Sequence, residues 1–198
     1  MILRDRVFKI LAESINLKKQ AQKKGDAVVE AAEMIADAFT SGSKLMIFGN
    51  GGSAADAQHI AAEFVNRFVI ERPPLPAVAL TTDTSTLTSI GNDYGFDYVF
   101  SKQIKAIGQP GDIAWGISTS GSSPNVLQAL STAQERQIKT IVMTGAESGE
   151  AALLADVLLD ADSANVPRVQ ELHITWGHII CELVDYILFQ KPSEDGAD

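Results

Sequence analysis

The chain has 198 residues, 45% hydrophobic and 21% charged, proportions that exclude a disordered, collagen-like or disulfide-scaffold protein. Sixteen Lys and Arg against 25 Asp and Glu leave a net charge of −9, which repels nucleic acid and anionic membrane surfaces but still permits a locally bound anion. Cys181 has no partner for a disulfide, and Arg4, Asp5 and Arg6 interrupt the apolar start a signal peptide needs; a cytoplasmic protein without the roughly 18–20 apolar residues of a membrane span is expected.

Residues 4–24 place Val7, Phe8, Ile10, Leu11, Ile15 and Leu17 at helical spacing, with Gly25 as the expected stop. Asp26 is positioned to cap a second helix, and Gly42 to end it. From Lys44 onward the pattern becomes short apolar runs: 45–48, 77–80, 113–117, 140–143 and a weaker one at 156–159. Their length and bulk suit strands buried on both faces. Helical stretches lie between them at 54–67, 83–107 with a break near Gly91, and 124–137. Strands alternating with helices predict a parallel sheet covered on both sides, an α/β fold. The last helix, 167–189, opens on Pro167 and carries an apolar stripe wide enough for burial in its own subunit or between subunits. The tail from Lys191 to Asp198 is polar and expected to fray. The chain reads as one domain: N-terminal helices at about 4–40, an α/β core at about 44–160 and the C-terminal helix.

Two of the strands run into Gly- and hydroxyl-rich loops that open helices. The first is Gly49-Asn50-Gly51-Gly52-Ser53, with Ser53 and Asp56 in the spacing of a capping box. The second is Ser118-Thr119-Ser120-Gly121-Ser122-Ser123-Pro124, with Ser123 at the N-cap position and Pro124 at the first helical one. In a parallel sheet both loops lie at the carboxyl ends of strands, where helix N-termini and hydroxyls suit a phosphate. Either loop alone is equally consistent with a plain tight turn. The P-loop Gly-Lys-Ser/Thr and the third glycine of a dinucleotide fingerprint are both missing, which points to a sugar phosphate or similar small anion.

His59 and Glu63 share one helix face close to the first loop. They read as a surface pair or as an acid–base or metal-binding pair. The last helix adds Gln170, Glu171, His173, His178 and Glu182; His178 lies among apolar neighbours, as a core histidine or a functional one. Cys181 reads as a small buried hydrophobe, and Asn92-Asp93 in isolation as a turn.

Taken together, the segments 48–59 (Phe48-Gly49-Asn50-Gly51-Gly52-Ser53 through His59), Glu71-Arg72-Pro73, Gly91-Asn92-Asp93-Tyr94-Gly95-Phe96, Gly116-Ile117-Ser118-Thr119-Ser120-Gly121 and Arg168-Val169-Gln170-Glu171-Leu172-His173 resemble the phosphoheptose isomerases. The similarity runs from about residue 5 to about 188 and implies the sugar isomerase (SIS) fold, a three-layer α/β sandwich around a five-stranded parallel sheet. It further implies a homotetramer with sites at subunit interfaces, acting on sedoheptulose 7-phosphate on the way to ADP-heptose and lipopolysaccharide core. By the same resemblance Ser53, Ser118, Thr119, Ser120 and Ser123 hold the phosphate, and Asn50, Gly51, Gly52, Asn92 and Asp93 line the sugar. Glu63 is implied as general base and His178 as acid. His59, Glu63, Gln170 and His178 match positions that bind one zinc per subunit in some members, Gln170 also touching substrate. Gln170 and His178 are separated by about 12 Å of helix rise and roughly 80° of rotation, so periodicity alone does not bring them together. Ser122 replaces the family's usual Asn, and Pro167 an Asp found in some members. A rival resemblance is to a non-catalytic SIS tetramer that binds the DNA replication initiator protein, through Asn66-Arg67-Phe68 and Glu71-Arg72-Pro73; the presence of Glu63 and His178 favours the enzyme.

Overall fold

A computed structural model describes residues 2–190; the C-terminal tail, for which fraying is expected, lies outside them. The elements are α1 (Leu3–Gln20), α2 (Gly25–Thr40), β1 (Leu45–Gly49), α3 (Gly52–Val65), β2 (Ala77–Ala79), α4 (Thr84–Asp93), α5 (Ser101–Ile107), β3 (Ile113–Ser118), α6 (Pro124–Glu135), β4 (Lys139–Thr144), β5 (Val157–Asp160) and α7 (Val166–Phe189). All five strands are parallel in the order β2-β1-β3-β4-β5.

The central runs β1, β3 and β4 are buried on both faces because their alternate residues feed two separate cores, while the edge strands β2 and β5 are partly buried. Leu45, Ile47, Ile113, Trp115, Ile117, Ile141 and Met143 face a layer of α2, α3 and α7. Met46, Phe48, Ala114 and Val142 face a layer that includes α5 and α6. This is the three-layer α/β sandwich with a five-stranded parallel sheet that the resemblance implies. By length and mean hydropathy, 1.2 over its most apolar window, α7 could cross a bilayer. Its Val169, Leu172, Trp176, Ile180, Cys181 and Val184 are instead buried in the first of these cores.

Four local expectations are corrected. Gly25 does not stop the first helix: its backbone is right-handed helical (φ −52°, ψ −45°), and a short 3-10 turn over Ala21–Lys24 joins α1 to α2. Lys24, not Asp26, therefore occupies the N-cap of α2. The break predicted near Gly91 falls at Tyr94-Gly95, where Gly95 takes φ +99°. At α3 the N-cap is Gly51, so Ser53 lies inside the first turn and makes no capping bond. Gly42, in contrast, takes the left-handed conformation (φ +77°) expected of a helix stop.

The strand order places the ligand site. From β1 the chain crosses through α3 to β2 on one side, and from β3 through α6 to β4 on the other. The order therefore reverses between β1 and β3, and the two loops recognised in the sequence flank this switch point, where open α/β sheets bind ligands.

Candidate active site

The loops are tied to one another by a pair of amides. Asn50 Nδ2 donates to Asn125 Oδ1 at 2.9 Å, and Asn125 Nδ2 donates back to Asn50 Oδ1 at 2.8 Å. Asn125 is buried in the first turn of α6. The pair fixes the Asn50 loop against the N-terminus of α6, a contact absent from the sequence reading because no local pattern marks Asn125 as more than a helix residue.

In the second loop Ser123 occupies the N-cap of α6 with Pro124 at the helix start, as expected, although the Ser123 side chain makes no capping bond. Its Oγ lies 3.1 Å from that of buried Ser118. Exposed Ser120 accepts at Oγ from the Ser122 hydroxyl at 3.2 Å, so the residue that departs from the family pattern braces a hydroxyl implied to hold phosphate. Thr119 is half-buried between them, and its carbonyl accepts from Gly145 N at 3.1 Å. Gly121 must be glycine: its φ is +64°, and a Cβ there would meet the Ser148 carbonyl oxygen at 2.2 Å. On the first loop Gly51 and Gly52 are exposed and Ser53 is buried. The Gln170 amide of α7 lies over Gly52, its Nε2 only 2.4 Å from where a Cβ would stand. The first loop and α7 thus meet at Gln170.

The titratable cluster forms between α3 and α7. One helix contributes His59 and Glu63, the other His178. His59 Nε2 lies 2.9 Å from His178 Nε2 and 3.4 Å from Glu63 Oε1, and the three ligand atoms all fall within 4.8 Å of one another. Gly177 allows the approach, because a Cβ on it would meet Ile60 Cδ1 of α3 at 2.7 Å. The ring of Phe68 flanks His178 at 5.3 Å. With both imidazole nitrogens at hydrogen-bonding distance, one must carry a proton and the other accept it, unless a cation draws both lone pairs. A tetrahedral zinc site with bonds of about 2.0–2.1 Å separates its ligand atoms by roughly 3.3 Å. The distances and the N, N, O donor set therefore fit zinc. His59 is exposed while Glu63 and His178 are half-buried, leaving the cluster open on one side.

Asp56, one turn before His59, caps nothing. Its Oδ2 is buried without a hydrogen-bond partner, and burial pushes the carboxyl pKa up against the opposing pull of His59. His173 is a satisfied core histidine at one nitrogen: Nε2–H donates to the Thr144 carbonyl at 2.9 Å, while Nδ1 has no partner. Burial holds its pKa down to about 4. Burial also pushes the Cys181 thiol far up, consistent with an inert hydrophobe. Asn92 and Asp93 are not drawn into either group. They end α4, exposed, with Asn92 Nδ2 donating to Asp93 Oδ1 at 2.8 Å.

Comparison with known proteins agrees with this arrangement. The SIS domain family matches residues 11–145. A phosphoheptose isomerase of Nitratidesulfovibrio vulgaris (strain Miyazaki F) is 59% identical over 170 residues, covering 86% of this chain and 82% of its own length. The structure of phosphoheptose isomerase from Neisseria gonorrhoeae superposes with a TM-score of 0.88 at 47% identity, covering 92% of this chain and 98% of that one. That of a phosphoheptose isomerase from Francisella tularensis gives 0.90 at 36% identity, with 93% and 99% covered. With a five-stranded SIS fold, a hydroxyl-lined switch point and an intact histidine–glutamate cluster beside it, the chain belongs to the phosphoheptose isomerase family of aldose–ketose isomerases.

Proposed function

We propose that the chain converts D-sedoheptulose 7-phosphate into D-glycero-D-manno-heptose 7-phosphate, feeding ADP-heptose and lipopolysaccharide core synthesis in the cytoplasm. The observation that carries this reading is that one α7 helix serves both halves of the site. Its Gln170 covers the first loop and its His178 completes the cluster with His59 and Glu63. A substrate anchored by its phosphate on Ser53, Ser118, Thr119, Ser120 and Ser123 would reach the cluster with its other end.

The chemistry needed is transfer of two protons. The Glu63 carboxylate takes the proton from the carbon beside the ketose carbonyl, while an imidazole N–H of His178 protonates the carbonyl oxygen, giving the enediol. Glu63 then returns its proton to the former carbonyl carbon as His178 recovers one from the neighbouring hydroxyl, and the aldose results. Atoms balance, and no oxidant or reductant is required. A carboxylate has two oxygens, so one can face His59 while the other takes the proton. Asn50, Gly51, Gly52 and Gln170 line the sugar. Zinc bound by His59, Glu63 and His178, with Gln170 as the further ligand the family pattern implies, would polarise the carbonyl as a Lewis acid.

Assembly as a homotetramer is supported by α1, whose Val7, Phe8, Leu11 and Ile15 are each more than half exposed. Such a stripe on a soluble chain calls for cover. The exposed Asn92-Asp93 pair fits a contribution to a site across a subunit boundary. Incubation of the purified protein, supplied with zinc, with sedoheptulose 7-phosphate should yield the heptose phosphate; absence of turnover would overturn the isomerase in favour of a binding protein.

A further inference from the structure

We infer that the buried ion pair Arg72–Asp185 is a positioning latch for the cluster, holding α3 and α7 in the register that brings Glu63 and His59 to His178; the inference rests on the function proposed for that cluster. Both side chains are almost wholly buried, 1% and 4% exposed. Arg72 Nε donates to Asp185 Oδ1 at 2.8 Å. Its Nη2 donates to the backbone carbonyl of Glu63 itself at 2.9 Å, and its Nη1 to those of Phe64 and Pro73 at 2.6 and 3.1 Å. One planar fork therefore caps the last turn of α3 and is anchored on α7.

The spacing makes the contact consequential. On α7, His178, Cys181 and Asp185 recur at positions i, i+3 and i+7, one face of the helix, and it is the face that meets α3. Asp185 is two turns, about 10 Å of rise, from His178. Gly177 and Ile60 let the helices touch at the other end of this segment. The helices are thus fixed at two points, by close packing beside His178 and by charge beyond it, with Glu63 held through its own carbonyl. A buried ion pair is a weak source of stability, because desolvation offsets most of its attraction, and its best-attested use is to set register. A lysine would keep the charge but cannot serve the carboxylate and the carbonyls in one plane.

The test compares Arg72→Lys and Asp185→Asn with the unmodified protein. Zinc affinity is read by chelator competition, kcat and KM on sedoheptulose 7-phosphate, and the folded fraction by thermal unfolding. Supporting partners of metal ligands typically matter by about 10- to 100-fold in affinity, and the latch predicts a loss in that range for Arg72→Lys, with a smaller one for Asp185→Asn. kcat should fall by about tenfold or more while KM changes by less than kcat, since the phosphate loops hang from β1 and β3. Lowered thermal stability with unchanged zinc affinity and kcat per folded molecule would overturn the latch. Should Arg72→Lys fail to fold, Asp185→Asn decides alone, because it leaves the guanidinium on the α3 carbonyls. Unmodified protein that neither binds zinc nor turns over substrate overturns the proposed function and the latch with it; active unmodified protein with indifferent variants overturns only the latch.

Discussion

The two ends of the sheet use polar residues in opposite ways. At the amino ends of the strands, Asp112 accepts from Lys44 Nζ at 2.6 Å, Lys44 N at 2.9 Å and Gln109 N at 2.8 Å. Asp156 likewise accepts from Lys139 Nζ at 2.6 Å and from Thr140 N and Oγ1 at 2.9 and 3.0 Å. These carboxylates are saturated by the protein's own donors and pin β1 to β3 and β4 to β5. At the carboxyl ends the loops carry hydroxyls and helix N-termini, with no charged side chain anywhere from Ile113 to Gln134, and the nearby cluster is open to one side. A carboxylate consumed by internal donors serves stability, whereas groups left with spare donors and lone pairs can serve a ligand.

The contrast predicts that substitutions at the two ends separate activity from stability. The largest effect is expected for Glu63→Gln: loss of a positioned base should lower kcat by about 10²- to 10⁴-fold, with a thermal midpoint close to that of the parent. A collapse of the midpoint instead would make Glu63 structural. Asp112→Ala should do the reverse, costing about 3–5 kcal/mol in denaturant unfolding by leaving Lys44 and two backbone donors without their acceptor, while kcat of the folded protein stays unchanged.

His173 sharpens the comparison, because it serves stability from the carboxyl end. Its pKa of about 4 in the folded chain lies below the ordinary 6.5, so between those values the unfolded chain binds the extra proton. Its contribution is complete above pH 6.5 and is lost as pH falls towards 4, by about 3 kcal/mol in all at 1.36 kcal/mol per unit. Urea unfolding from pH 7 to 4.5 should show this slope, and His173→Gln should flatten it. The smallest effect is expected for Asn125→Leu. Leaving Asn50 without its partner should cost about 1–3 kcal/mol and raise KM more than it lowers kcat, by loosening the first loop; an unchanged KM would show that the loop holds its shape alone.

How far the molecule could be read in advance follows from the range of each interaction. The strands are legible because a strand covered on both faces leaves a continuous apolar run, most clearly in the fully buried β1 and β3 and least in the edge strand β5, and the second loop is legible because its serines, Gly121 and Pro124 act within a few residues of one another. The spacing of Ser53 points to a cap, but Gly51, able to adopt φ +55°, takes the N-cap two residues earlier. Gly25 and Gly91 do not break their helices because glycine permits a turn without requiring one: both stay helical with open space around them, and the real break falls at Gly95, whose φ is +99°. No local pattern marks Asn125, Arg72 or Asp185 as a site residue, and only the charge of Asp185 within the apolar 184–188 stretch signals that something inside must answer it.

The sequence by itself determined the layers, the phosphate-suited loops, and the placing of His59 and Glu63 on one helix face, since these depend on periodicity and neighbours in the chain. Only the tertiary structure decided that His178, 119 residues from His59, closes the cluster, that Gln170 reaches the first loop, and that Arg72 and Asp185 hold the two helices together. The strand order created the switch point between β1 and β3, and the close approach at Gly177 set the helix spacing. Both come from packing between distant segments, which local sequence does not encode.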